Sequence, residues 1–205
     1  MNTKKLLTTL TLFVFIISFT QAQKVKVVSG KYDNLKGISE YNLVFDYTDV
    51  KVGKFKSEEE FLEDKMNKRD DKEEGKGEDF KESWFADREN RYEPKFIESF
   101  NKRFEDGEIK VDKNLDSAEY TMKVHTTYLY PGYNVGVVRK NAEVSATIYV
   151  YKNDAPDTIL LEMTLLNAPG YGAMGNDYNS GYRISEGYAK LSKTLAGIFG
   201  KKVLK

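Results

Sequence analysis

Polar and apolar residues alternate through residues 41–50: Leu43, Phe45 and Tyr47 fall on one side, and Asn42, Asp46 and Thr48 on the other. A period of two predicts a strand with one packed face and one wet face. The same period returns in three longer stretches. Residues 120–130 set Tyr120, Met122, Val124 and Tyr128 against Thr121, Lys123, His125 and Thr127. Residues 142–151 set Val144, Ala146, Ile148 and Val150 against Glu143, Ser145, Thr147 and Tyr149, and residues 158–166 set Ile159, Leu161, Met163 and Leu165 against Glu162 and Thr164. Residues 108–111 read as a further short strand. Clean alternation favours an antiparallel meander over a parallel sheet covered on both faces, and Asn153 to Asp157 supplies the hairpin turn.

Between the strands the period becomes helical. Ser57 with Glu60 predicts a capping box ahead of Phe61, Leu62 and Met66. Phe80, Trp84, Arg88 and Tyr92, then Phe96, Phe100 and Phe104, repeat at four-residue spacing and share a helical face. Pro94 suits the first turn of a new helix, so the segment breaks near Tyr92, restarts at Glu93 or Pro94 and ends at Asp106-Gly107. The stripe is read as packing against a sheet. Ile184, Tyr188, Leu191, Leu195 and Ile198 predict a closing helix, with Lys201 and Lys202 favourably placed near its C-terminus. Strand, helices, strands, helix is an α+β order: a two-layer sandwich with a mainly antiparallel sheet of about four to five strands and helices packed on one face. The Thr121, Lys123, His125 face is then open to water.

Outside these segments, residues 1–22 carry Lys4 and Lys5, an uncharged apolar run from Leu6 to Phe19, and Thr20-Gln21-Ala22. That is the pattern of a cleaved signal peptide, and the run is shorter than the roughly 20 residues a spanning helix needs. It predicts export, to the periplasm or to the exterior, with no transmembrane segment in the mature chain. Residues 23–39 read as an N-terminal extension and 40–205 as a single domain. Within it, residues 63–79 are charged or glycine except Met66 and Asn67, which reads as a mobile insertion.

Lys and Arg number 32 and Asp and Glu 32 in 205 residues. With Lys4 and Lys5 in the leader, the mature chain is slightly acidic, which argues against nucleic acid as a partner. No cysteine is present, so disulfides, thiolate metal sites and Cys nucleophiles are excluded, and the lone His125 leaves no His set for zinc. On the wet face His125 stands with Lys123 and Thr127, a weak candidate polar site without an orienting third group. No catalytic constellation, cofactor site or metal site is expected. Gly170 to Gly175 matches G-x-G-x-x-G, but too little chain follows to complete a dinucleotide-binding unit, and it reads as a turn. A stronger signal is the repeat Pro131-Gly132-Tyr133 and Pro169-Gly170-Tyr171, each just after a strand. In a three-stranded meander the first and third strands run the same way, so both loops lie at one end. That end gathers Tyr130, Tyr133, Tyr171, Tyr178 and Tyr182, amphipathic rings suited to a sugar face or a partner surface.

The run Asp116-Ser117-Ala118-Glu119-Tyr120, a D-x-A-x-Y-like lead into a long strand, completes a pattern. With the helix before it, two further strands and a closing helix, residues 40–200 resemble the small α/β domain of TolB N-terminal domains, the penicillin-binding-protein activator LpoB and the curli-secretion lipoprotein CsgG. This chain differs in having no lipidation cysteine. The resemblance implies a non-enzymatic adaptor of the cell envelope that binds another protein. The tyrosine-rich end supports the alternative of a small-ligand or glycan-binding protein.

Overall fold

The computed structural model describes residues 23–172 and 179–205; the expected leader, Tyr178 and the second half of the G-x-G-x-x-G match, residues 173–175, lie outside the described residues. In order, the elements are β1 (Lys24–Gly30), β2 (Glu40–Asp46), β3 (Lys51–Val52), α1 (Glu58–Asp70), α2 (Lys76–Asp87), α3 (Glu93–Asn101) and β4 (Lys110–Asp112). There follow β5 (Tyr120–Tyr130), a small hairpin of β6 (Tyr133–Asn134) and β7 (Arg139–Lys140), β8 (Ala142–Lys152), β9 (Ala155–Gly170) and α4 (Ser180–Lys202). The class is the expected α+β sandwich, with one large sheet and helices packed against it.

Among the described residues the sheet has seven strands, in the order β1-β9-β8-β5-β2-β4 with β3 also on β5, rather than four to five. The additional members are short or broken, which is why periodicity missed them. The alternation Lys24-Val25-Lys26-Val27 of β1 is interrupted by a register shift between Val27 and Ser29. Residues 23–39 are therefore no extension: they carry the edge strand, with Val25 and Val27 opposite Leu165 and Met163 of β9. The meander β5-β8-β9-β1 is antiparallel as expected, whereas β2 and β3 join β5 in parallel and β4 joins β2 in parallel. Parallel neighbours need a long crossover, and the three helices between β3 and β4 supply it.

Residues 63–79, expected as a mobile insertion, are instead the end of α1, a reversal and the start of α2. Exposed charge is tolerated on these helices because it is paired along the axis, Lys68 with Asp64, Lys76 with Asp79 and Lys81 with Glu78. The pair is fastened at both ends. Asp70 accepts the Gly77 amide at 2.7 Å, and buried Glu58 accepts from Trp84 Nε1 at 2.7 Å and Arg88 Nη2 at 2.5 Å. The Ser57 hydroxyl does cap α1 at the Glu60 amide, but the Glu60 carboxylate reaches back to the Lys56 amide rather than to Ser57. The break expected near Tyr92 is one π-helical turn, Arg88–Tyr92, and α3 stops at Asn101, short of Asp106-Gly107.

The aromatic stripes meet in the core. Phe96, Phe100, Tyr188 and Phe199 are fully buried, Tyr92 stacks on Tyr188 at 5.2 Å, and Thr126 and Tyr188 hydroxyls share a 2.6 Å hydrogen bond. Helix α4 lies on β8 and β9, and α3 lies on α4. Helix α4 meets β9 backbone to backbone at Gly170, where a Cβ would overlap the Arg183 carbonyl oxygen and reach the Gly187 amide at 2.8 Å. Both obstacles are backbone, so no side chain can move aside. Gly170→Ala is expected to lower the unfolding free energy by ~2 kcal/mol or more, read from urea titration.

Candidate functional site

Where β5 ends, one extra residue changes what the strand presents. A bulge between Thr126 and Tyr128 shifts the register with β8, so Leu129 takes the buried side in place of Tyr128. Tyr128 and Tyr130 thereby leave the core side. The chain then turns through Pro131-Gly132 into β6. A Cβ at Gly132, whose φ is +64°, would overlap the Lys140 carbonyl oxygen, so only glycine lets the turn lie against β7. Arg183, buried in the first turn of α4, holds the turn from below: Nε donates to the Pro131 carbonyl at 3.0 Å and Nη2 to the Gly132 carbonyl at 3.2 Å.

Facing this turn is a cleft of about 620 Å³, within the roughly 300–1,000 Å³ of small-ligand sites. One wall is α1, contributing Phe61, Lys65 and Arg69, with Phe80 of α2 behind it. A second is the loop from Val52 to Phe55, and the third is Tyr130 to Tyr133, closed by Ser180 and Arg183. The rings form a layer, Phe55 edge-on to Phe61 at 5.7 Å and Phe61 against Trp84 at 4.7 Å. The cations lie on those rings: Arg69 is 3.8 Å from the Phe80 centroid, Lys54 5.4 Å from Phe55, and Lys65 5.7 Å from Phe61. Loss of solvent lowers the Arg69 pKa from its ordinary value. No Asp or Glu is among the described lining residues.

Of the residues expected at this end, Tyr130 and Tyr133 line the cleft. Tyr171 is exposed just beyond β9, and Tyr182 projects from α4 under the Arg91 guanidinium at 4.9 Å, outside the cleft lining. Strands β5 and β9 do end together, Ala142 pairing with Gly170 and Tyr130 with Glu143, although Pro169-Gly170 belongs to β9 and not to a loop. Pattern reading missed Lys54, Phe55, Phe61, Lys65, Arg69, Phe80 and Arg183 as site residues. Two signals were present. Lys65 and Arg69 are an i,i+4 like-charge pair on α1, and Arg183 is a cation at the helix end that disfavours one.

The weaker candidates Lys123, His125 and Thr127 sit on the open face. His125 Nε2 donates to the Thr48 carbonyl at 3.0 Å, Lys123 stands 3.8 Å from Asp46 and 5.0 Å from the Tyr149 ring, and Thr127 donates to the Ser145 carbonyl at 3.3 Å. These contacts knit β2 to β5 and β8. Among the described residues no group of three or more His, Asp or Glu is placed to hold a metal ion, and no helix is long and apolar enough to cross a membrane.

No protein-family model and no curated protein matches the chain. Among solved structures it is similar to the PelC dodecamer from Paraburkholderia phytofirmans, at 8% identity and a TM-score of 0.39 over 89% of this chain and 99% of that one. A point variant of that dodecamer gives 9% identity and the same TM-score. Likeness at this level assigns neither family nor function.

Burial raises the Asp46 pKa, but hydrogen bonds from the Thr48 amide and hydroxyl, with the His125 and Lys123 charges, outweigh it and leave the carboxyl below its ordinary value. A depressed carboxyl stabilises the fold above its unfolded pKa and loses that contribution as pH falls through the folded one. Asp46→Asn is therefore expected to lower stability at pH 7 and to converge on the unaltered protein as the pH falls from about 4 through the depressed folded-state pKa, in urea midpoints taken across that range.

Proposed function

We propose that this chain is a non-enzymatic binding protein of the cell envelope, and that its ligand site is the aromatic cleft between α1 and the β5–β6 turn. The observation that carries the reading is the concavity itself: five rings, Phe55, Phe61, Phe80, Tyr130 and Tyr133, converge on one space of ligand size. Ring faces of this kind take the C–H faces of a saccharide or another flat, compact molecule, while the tyrosine hydroxyls supply orientation. Export rests on the leader pattern of residues 1–22. Tyr130→Ala with Tyr133→Ala is expected to weaken binding of a saccharide ligand by at least ~10-fold without changing the melting temperature by more than a few degrees, since both rings are partly exposed. Unchanged affinity, measured by calorimetry, would remove the cleft from the binding surface.

A second reading, the protein-binding adaptor that the TolB, LpoB and CsgG resemblance implies, is favoured by a different feature. The tip of the β6–β7 hairpin exposes Val135 at 69%, Val137 at 100% and Val138 at 51%. Apolar side chains this exposed on a short projection suit a knob for a partner's pocket. Val137→Asp is expected to abolish in-cell crosslinks formed from the hairpin while leaving cleft binding intact. Crosslinks that persist in the variant would count against the adaptor.

A further inference from the structure

The cations of the cleft are arranged differently from those of the surrounding surface. On the outward side of α1 and α2, Lys68, Lys76 and Lys81 each meet a carboxylate one turn away. Towards the cleft, Lys54 and Arg69 meet no carboxylate among the described residues, and Lys65 has only its sequence neighbour Asp64, at 3.3 Å. Lys65 and Arg69 repel one another across one helical turn, a placement that disfavours the helix by itself. Ring faces hold Lys54 and Arg69 instead of acids; Arg69 Nη1 donates to the Lys65 carbonyl at 3.0 Å and Lys65 shares Asp64, and the remaining N–H donors of the three stay available to a ligand. A saccharide that carries carboxylates meets both halves of this lining at once: its ring faces lie on the aromatics and its oxyanions meet the donors in a partly desolvated space.

We propose that the cleft recognises an anionic saccharide, with carboxylate groups held by Lys54, Lys65 and Arg69 and sugar rings stacked on Tyr130, Tyr133 and Phe55. The inference rests on the cleft being the ligand site and adds the charge of what enters it. Arg183 stays outside the recognition set, since its guanidinium supports the Pro131 and Gly132 carbonyls.

The protein contains a single tryptophan, and Trp84 stands 4.7 Å behind Phe61 and 6.1 Å behind Phe80. Its fluorescence reports on the cleft wall, with calorimetry reading the same titrations if the emission does not move. The probes are tetragalacturonate, a neutral tetrasaccharide of equal length and inorganic phosphate. Tetragalacturonate is expected to bind saturably and to weaken by ~10-fold or more between about 50 and 500 mM NaCl. Lys54→Gln, which alters an exposed loop and leaves α1 untouched, is expected to weaken it by roughly 10-fold, and Lys65→Gln with Arg69→Gln by more, with neutral-sugar affinity moved less than about 2-fold. Neutral sugar bound equally well, without salt dependence and lost in Tyr130→Ala with Tyr133→Ala, would overturn the anionic preference and keep the cleft as the site. Full competition by phosphate at the affinity of the saccharide would overturn the saccharide and leave a bare oxyanion site. No binding of any probe, in a protein whose melting is intact, would overturn this inference and the cleft reading together.

Discussion

Helix α4 must lie unusually close to the end of β9, and the binding end of the molecule follows from that constraint. At Gly170 the strand backbone passes so near the helix that no side chain fits between them. This contact sets the depth at which the first turn of α4 enters the fold. It places Arg183, buried and one turn from the Asn179 cap, beneath the carbonyls of Pro131 and Gly132. A cation there opposes the helix dipole, at a cost of several tenths of a kcal/mol or more. Hydrogen bonds from a charged donor, worth about 1.5–3 kcal/mol each, offset it. The result is a turn held from below, so that Tyr130 and Tyr133 face α1 across a fixed gap.

The bulge in β5 is the second device. Before it, even-numbered residues Met122, Val124 and Thr126 face the core; after it, Leu129 does. One inserted residue therefore lets a single strand serve the core for most of its length and the cleft at its end. A matching shift in the next ladder, between Val144 and Ala146, places Asn167 at φ 58° with its amide bonded to Ser145 Oγ at 3.0 Å. Without these shifts the ends of β5, β8 and β9 would continue the flat alternation of their middles.

Those bulges also mark where the sequence stopped being legible. Period-two alternation identified β5, β8, β9 and β2, overrunning the end of β2 at Asp46, and period 3.6 identified α4 and the aromatic stripe, because burial on one face writes itself into side-chain type. Nothing in residue type marks the extra residue at Thr127: Tyr128 looks as apolar as Leu129, and the pattern followed the wrong one. The charged stretch misled for a related reason. Its net composition resembles a solvated coil, but helicity there depends on i,i+3 and i,i+4 pairing and on the distant fastening of Glu58 to Trp84 and Arg88, which composition does not record. The tyrosine end was visible as one half of a site. Its other half comes from α1, whose Phe61, Lys65 and Arg69 are remote in sequence and are brought there by the parallel placement of β3 beside β5.

A formal net charge of zero over 205 residues suggests a protein with no electrostatic preference, and for long-range attraction that reading stands. Near contact is governed by how charges are sorted. Exposed cations that pair along a helix cancel within a few ångströms, and at a Debye length of ~8 Å they contribute little beyond it. Cations laid on aromatic rings are not cancelled, because the ring attracts the charge without neutralising it. Confining the second arrangement to the cleft gives a neutral protein a locally cationic cleft. Selectivity for charge can thus reside in the geometry of a few side chains while the whole molecule remains indifferent to bulk anions.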